Sequence, residues 1–416
     1  MKKRLLCFIT LLAATISAVT LTNNVKAATK WNTSKSVTKE ENGIKYSAYL
    51  TEDGKESWIY QIKLSKKITK LTLPKEINQA KLTRVGFGKE LYNKGEDEDA
   101  YQNLFGDTIE PWHNCYGDLS NDDKNKQTIE TVAIPSTVNQ LEIATFSGMK
   151  KLKSVVIPEQ TASVPAYTFA KCSALSKVTF SKNMNEIDST AFVKSNQVKT
   201  FSCPKANKIF AVKKGMLTTR SGKTLVLVPN KMKKLTIPSS VKEIKANALN
   251  GSQATSIVIP KSVKKIGAKA LESKKITKVR LSSKNKTYKM ANNCIYRKSN
   301  GTLTAVLVKT KKITIPSKVK VIDDTVSVMG KIGTKNQVHI PKSVKKVVED
   351  WMFFGDSATV YFHGTKPPVI VSKFKGNEFT ALPIFNKVYV PKKAKKTYIK
   401  WAKDRDGLKW NNLHTF

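Results

Sequence analysis

A short phrase recurs along the chain: two apolar residues separated by one spacer, closed by proline. It reads Leu235-Thr-Ile237-Pro238, Ile257-Val-Ile259-Pro260, Ile313-Thr-Ile315-Pro316 and Val338-His-Ile340-Pro341, and earlier Val132-Ala-Ile134-Pro135 and Val155-Val-Ile157-Pro158. The prolines step by 23 residues from Pro135 to Pro158 and by 22 from Pro238 to Pro260. A fixed period in the twenties is the mark of stacked repeats, in which each turn buries its apolar face against its neighbours. A solenoid of this kind offers a long regular surface for binding, and its ends need caps.

Numbering from each proline exposes further columns. Position +3 holds Val138, Val241, Val263, Val319 and Val344, and position +6 holds Leu141, Val164, Ile187, Ile244, Ile266, Ile322 and Val347. Positions +10 and +11 read Thr145-Phe146, Thr168-Phe169, Ala191-Phe192, Ala248-Leu249 and Ala270-Leu271. In two repeats serine replaces the proline, at Ser181 and Ser282. Alternating apolar residues just before a proline suit a short strand that stops there, because proline cannot donate to a ladder. The +3/+6 pair suits a second extended or tightly turned segment, and the +10/+11 pair fills the core.

Two repeats are longer by a matching amount. Pro204 to Pro238 and Ser282 to Pro316 each span 34 residues. Within them Asn207-x-x-Phe210 aligns with Asn285-x-x-Tyr288, and Met216-Leu217 with Cys294-Ile295. With turn signals at Ser221-Gly222 and Asn300-Gly301, residues 207–231 and 285–309 are expected to be β-hairpins projecting from the stack.

These residues resemble the bacterial BspA-like (Treponema pallidum-type) leucine-rich repeats, over roughly Ile68 to Arg405. The hydrophobic-x-x-Ile-x-Ile-Pro strand, the Val-x-x-Ile pair, and Ala170-Lys-Cys172-Ser-Ala-Leu175 at a turn all match that pattern. The resemblance implies a mainly β leucine-rich-repeat solenoid in a right-handed superhelix, with short strands, two inserted hairpins and a C-terminal helical cap. It also implies a secreted or surface protein whose role is adhesion, with no enzyme activity and no cofactor. The chain departs from the pattern in its lysine content, in repeats lacking Phe or Cys (as at Val326-Ser327), and in a long insertion near the N-terminus.

The organisation then reads as follows. Residues 1–27 form a signal peptide: Lys2, Lys3 and Arg4, an apolar run from Leu5 to about Leu21, and Val25-Lys-Ala27 before Ala28. A retained anchor is the competing reading of that run. No second apolar stretch is long enough to span a bilayer after cleavage. Residues 28–67 alternate as a β cap, with Ile44–Ala48 and Trp58–Ile62 joined across Asp53-Gly54. The solenoid covers 68–391, and 392–416 is a helical cap in which Lys392 to Arg405 sets Tyr398 and Trp401 on one face.

The formal net charge is +43, and removing the leader takes four cations (Lys2, Lys3, Arg4 and Lys26) to leave +39. Such a field attracts anions and makes binding salt-sensitive. Outside a cell the anions are wall polymers, lipid headgroups and acidic host glycans, so nucleic acid is not the expected partner. The partner expected is a host or bacterial surface protein or glycan, or an anionic cell-wall polymer. The plain alternative is that lysine keeps a repeat protein soluble and blunts sheet edges.

Two segments are candidates for specificity. Lys242, Lys264, Lys320 and Lys345 share position +4, with Lys265 and Lys346 beside two of them. Like charges directly opposed on neighbouring strands repel, so the column either splays into water or meets an anion. The insertion 86–128 carries ten acids against four lysines, interspersed with aromatics; Tyr92, Asp97, Asp99, Tyr101, Trp112 and Tyr116 form the candidate specificity loop. It reads as a loop covering the N-terminal end of the stack, as a calcium site at Asp118, Asn121, Asp122 and Asp123, or as a flexible insertion. The calcium spacing departs from the regular loop pattern. No metal ligand set, nucleophile or paired carboxylate stands out. Cys115, Cys172, Cys203 and Cys294 lack metal spacing, and Cys172 and Cys203 are expected as core thiols. His113, His339, His363 and His414 are scattered, with alternation pointing His339 away from the core side of its strand.

Overall fold

A computed structural model of the chain describes residues 29–86, 125–348, 358–371, 387–403 and 413–416. The leader and the loop residues Tyr92, Asp97, Asp99, Tyr101, Trp112 and Tyr116 lie outside the described residues, as do Cys115 and the calcium candidates.

Each apolar–spacer–apolar phrase forms a short strand, and these strands stack in parallel. One ladder joins Lys70–Thr72, Thr131–Ala133, Ser154–Val156, Lys177–Thr179 and Thr200–Ser202. A second joins Lys234–Thr236, Ser256–Ile259 and Lys278–Leu281, and a third runs from Lys312–Thr314 through Gln337–Ile340, Thr359–Phe362 and Lys387–Val390 to Leu413–Thr415. Register is in step: Leu235 faces Ile257, Ile257 faces Val279, and Ile313, Val338, Val360 and Val388 follow one another. A one-residue slip would turn these side chains out of the core, which pins the register.

The proline then opens the turn. Its carbonyl accepts from the residue at +3, as in Val138 N–H to Pro135 O at 3.1 Å and Val319 N–H to Pro316 O at 2.9 Å. The +3 valine is thereby rolled inward and is buried in every repeat that has one. The +5/+6 residues form a second, separate set of parallel ladders, with Ser163 against Glu186, Glu243 against Lys265, and Val321 against Lys346. Between the ladders Phe146, Phe169 and Phe192 stack face to face at 5.5 and 5.7 Å, all buried.

The two long repeats are more than projecting hairpins. Each is a three-stranded meander: Phe210–Lys213, Met216–Thr219 and Thr224–Leu227 in the first, Tyr288–Ala291, Cys294–Arg297 and Leu303–Leu307 in the second. The third strand of each lies parallel to the following repeat and so belongs to the stack. The first turns are Lys214-Gly215 and Asn292-Asn293, with positive φ at both residues, as tight hairpins require.

The N-terminal end is closed by a meander of Trp31–Glu41, Ile44–Thr51 and Glu56–Leu64, the last parallel to Ala80–Val85. Trp58 is fully buried there, donating to Gly86 O at 2.6 Å under the Arg84 guanidinium, which pairs with Glu142. At the other end the helix Lys395–Lys403 packs Tyr398 and Trp401 on Phe362, and the Tyr398 hydroxyl donates to Gly364 O at 3.1 Å.

Candidate binding surface

The +4 lysines of neighbouring repeats stand in direct succession on the second ladder set. Lys264 N–H donates to Lys242 O at 2.7 Å, and Lys345 N–H to Lys320 O at 2.9 Å. The backbone thus sets each pair one ladder step apart, about 4.8 Å. Lys242, Lys264, Lys265, Lys320, Lys345 and Lys346 are all exposed. Lys223, at the tip of the first meander, adds to the row because Lys242 N–H donates to its carbonyl at 2.7 Å. Sequence reading passed over it, since it precedes a strand that only the fold brings into the ladder; its position just before Thr224-Leu225 was the available signal.

The column is not continuous, however. The second meander enters between Lys264 and Lys320, and Gly301 takes the ladder position ahead of Lys320, accepting from its N–H at 2.9 Å. A Cβ on Gly301 would meet Lys318 O at 2.6 Å, and its φ is +71°, so only glycine lets the lysine strand approach. The surface is therefore two clusters: Lys223, Lys242, Lys264 and Lys265, then Lys320, Lys345 and Lys346.

Charge on the first ladders obeys a different rule. Along the strands Lys234, Ser256 and Lys278, and again Lys312, Gln337, Thr359 and Lys387, lysines are separated by neutral residues. Nearer the N-terminus lysines meet acids on adjacent turns, as in Lys153 with Glu130 and Lys182 with Glu159. In the clusters, Lys265 pairs with Glu243 at 2.8 Å, whereas Lys223, Lys242, Lys264, Lys320, Lys345 and Lys346 form no ion pair among the described residues. Repulsion of this kind costs stability with no return inside the fold. At the corresponding +4 position the N-terminal turns carry Asn139, Ala162 and Asn185, so the stack does not need lysine there.

The histidines that look scattered in the sequence converge in part. His339 Nδ1 and His363 Nε2 are 2.9 Å apart, one donating and the other accepting. Burial, helped by the Lys312 ammonium and by His363, pushes the His339 pKa down to about 4, and the same burial and lysine lower that of His363. A second proton would place two N–H groups nose to nose across that hydrogen bond. With a folded pKa below the ordinary 6.5, this imidazole contributes stability above pH 6.5 that is lost as the pH falls toward about 4. The melting temperature is expected to drop between pH 6.5 and 5, and H339F to flatten that slope; thermal melts of both chains against pH check it.

Among the described residues no set of three metal-ligating side chains forms, and Cys172, Cys203 and Cys294 form no disulfide. Cys172 and Cys294 are buried, and burial pushes the Cys294 thiol up to about 12, which keeps it protonated and inert. A cleft of about 470 Å³ opens where the first meander interrupts the stack, with Asn196, Asn247, Asn250, Gln253 and a single carboxylate, Glu272, in its wall. Burial raises the pKa of Glu272, opposed by the Lys269 and Lys274 ammonium groups nearby. No helix among the described residues is long and apolar enough to cross a membrane.

The comparisons with known proteins concern the fold. Several solved structures resemble the chain, among them the following three. A leucine rich cell surface protein from Faecalibacterium prausnitzii is 13% identical, over 82% of this chain and 95% of its own, with a TM-score of 0.36. The pneumococcal vaccine antigen PcpA is 14% identical, over 91% and 97%, at 0.38, and a leucine-rich repeat protein from Eubacterium ventriosum is 14% identical, over 86% and 94%, at 0.36. No curated protein matches the sequence. The BspA type leucine rich repeat region matches six copies, across residues 124–216 and 228–359, which is more than half of the chain. With the repeat columns, the paired ladders and that match in agreement, the chain belongs to the BspA-type leucine-rich repeat family.

Proposed function

We propose that this chain is an exported, surface-associated bacterial binding protein that grips anionic partners through its basic solenoid and thereby mediates adhesion. The observation that carries the reading is the unpaired lysine succession, Lys223–Lys242–Lys264 and Lys320–Lys345, in a ladder whose N-terminal counterpart is neutral. A multivalent anion relieves the repulsion between adjacent ammonium groups, so binding energy comes from a surface kept unfavourable in its free state. No catalytic step is part of this reading. The second reading, favoured by the sheer net charge of +43, is a structural wall protein held to anionic polymers without a specific receptor.

The triple variant K242E/K264E/K345E tests the column. It inserts acids into exposed positions, so the fold is expected to melt within a few degrees of the parent. Binding to purified bacterial walls at moderate salt is expected to weaken at least tenfold, with a shallower salt dependence. Unchanged affinity would reduce the column to a solvated face.

A further inference from the structure

The outward side of the third ladder differs from the others. On the first two, the residues that face away from the core between the two apolar positions of each phrase are Thr72, Ala133, Val156, Thr179 and Ser202, then Thr236, Val258 and Arg280. On the third, after Thr314, they are His339, Tyr361, Tyr389 and His414, in register on successive strands. Their rings stack nearly parallel, with centroids 4.4, 4.6 and 5.0 Å apart. His363 lies one row over, and Phe416 packs its ring against both His363 and Tyr361.

Stacked this way, the rings cover one another's faces and turn their edges outward. What the row offers outward is the Tyr361 and Tyr389 hydroxyls and the His414 ring nitrogens, one residue per ladder step, while His339 is buried beneath them with its Nδ1 hydrogen-bonded to His363. Tyr361 and Tyr389 are half-exposed, and His363 and His414 exposed. The neighbouring row supplies Lys312 and Lys387, and the pKa of the imidazole pair registers the Lys312 charge. Neither lysine nor either member of the imidazole pair meets a carboxylate among the described residues.

We propose that this face is a binding platform for an anionic polysaccharide. A protein partner anchors aromatic and apolar side chains in pockets, and this row presents polar edges with the 52% exposed Phe416 ring beside them. A repeating row of donors at a fixed step, flanked by cations, complements a repeating polyol that carries acidic groups. Single-stranded nucleic acid is also a repeating polyanion, but it depends on open ring faces on which bases stack, and here both faces of Tyr361 and of Tyr389 are occupied by neighbouring rings. The platform lies on the other ladder set from the lysine clusters and stands independently of them.

The double variant Y361F/Y389F separates recognition from support, because it keeps the stack and removes only the two hydroxyls. The probes are chondroitin sulfate oligosaccharides, with neutral dextran and an oligothymidylate as comparisons, measured by equilibrium binding on the otherwise intact chain. The expected result is chondroitin sulfate binding by the parent, at least tenfold weaker in Y361F/Y389F at an unchanged melting temperature, with dextran not bound and oligothymidylate bound more weakly than chondroitin sulfate and equally by parent and double variant. In K242E/K264E/K345E the loss on Y361F/Y389F should persist, whatever becomes of wall binding. Equal affinity of parent and double variant, absence of binding by the parent, or preference for oligothymidylate would each overturn the proposal.

Discussion

Phe169→Ala lowers the stability of the chain by about 3–5 kcal/mol, the range for emptying a buried aromatic site. Phe169 is the middle ring of three, stacked 5.5 Å from Phe146 and 5.7 Å from Phe192, with no exposed surface on any of them beyond 2%. Its backbone is held on the next turn by Phe169 N–H to Ala191 O at 2.8 Å, and by Phe146 N–H to Thr168 O at 2.9 Å on the turn before. Neither neighbour can swing into the space without breaking that ladder, so most of the cavity stays open. In a stack where each repeat touches only its neighbours, the loss falls on two interfaces and the N-terminal turns uncouple from the rest. Urea unfolding followed by circular dichroism checks the size. Hydrogen exchange checks the place, with protection falling first around residues 144–192. Phe169→Leu, which keeps most of the volume, is expected to cost less than about 1.5 kcal/mol.

The second large effect is at a polar side chain. Asn285 is 1% exposed and makes four hydrogen bonds. Its Nδ2 donates to Pro260 O and Val263 O at 3.2 and 3.0 Å, on the preceding turn, and its Oδ1 accepts from Thr287 N–H and Tyr288 N–H at 2.9 and 2.7 Å. Asn207 repeats the arrangement on Ser181 O, Met184 O and the Ile209 and Phe210 N–H groups. The asparagine therefore staples the start of each meander to the turn before it. Asn285→Ala removes all four bonds; Pro260 O keeps the Val263 N–H at 3.4 Å, and each of the other three groups that water does not reach costs about 1–3 kcal/mol, so a net loss of about 3 kcal/mol is expected. Asn285→Asp keeps the acceptor, removes both donors and buries a charge, so it is expected to be no milder. Urea midpoints of both variants decide this; an Asn285→Ala chain as stable as the parent would mean that the meander is not held by its asparagine.

These two sites show what the sequence could and could not convey. The Phe column and the valines at +3 were legible because repetition multiplies a weak local pattern until chance is excluded. The Asn-x-x-aromatic motif was legible as a repeat, but its purpose was not, because the carbonyls it caps lie more than twenty residues earlier. Position alone could not reveal that the third strand of each meander joins the next turn, which is what brings Lys223 into the lysine row and divides that row at Gly301. The strand Trp31–Glu41 was missed although Asn42-Gly43 marks its turn, since its own residues alternate too weakly in polarity to stand out. The His339–His363 pair and the aromatic row were hidden for a different reason: their members are 22–28 residues apart, and the repeat columns that reveal the core are blind to the outward positions between them.

The claim at the centre of this account is that the solenoid holds anionic partners at the cell surface by charge. Its most direct test is cosedimentation of residues 28–416 with bacterial walls across a salt series, using walls intact or stripped of anionic polymer, with host matrix proteins in parallel. The account predicts retention on intact walls or on one acidic matrix partner, falling steeply as salt rises in the manner of multiple ion contacts. Equal retention on stripped walls, or binding indifferent to salt on every surface, would contradict it.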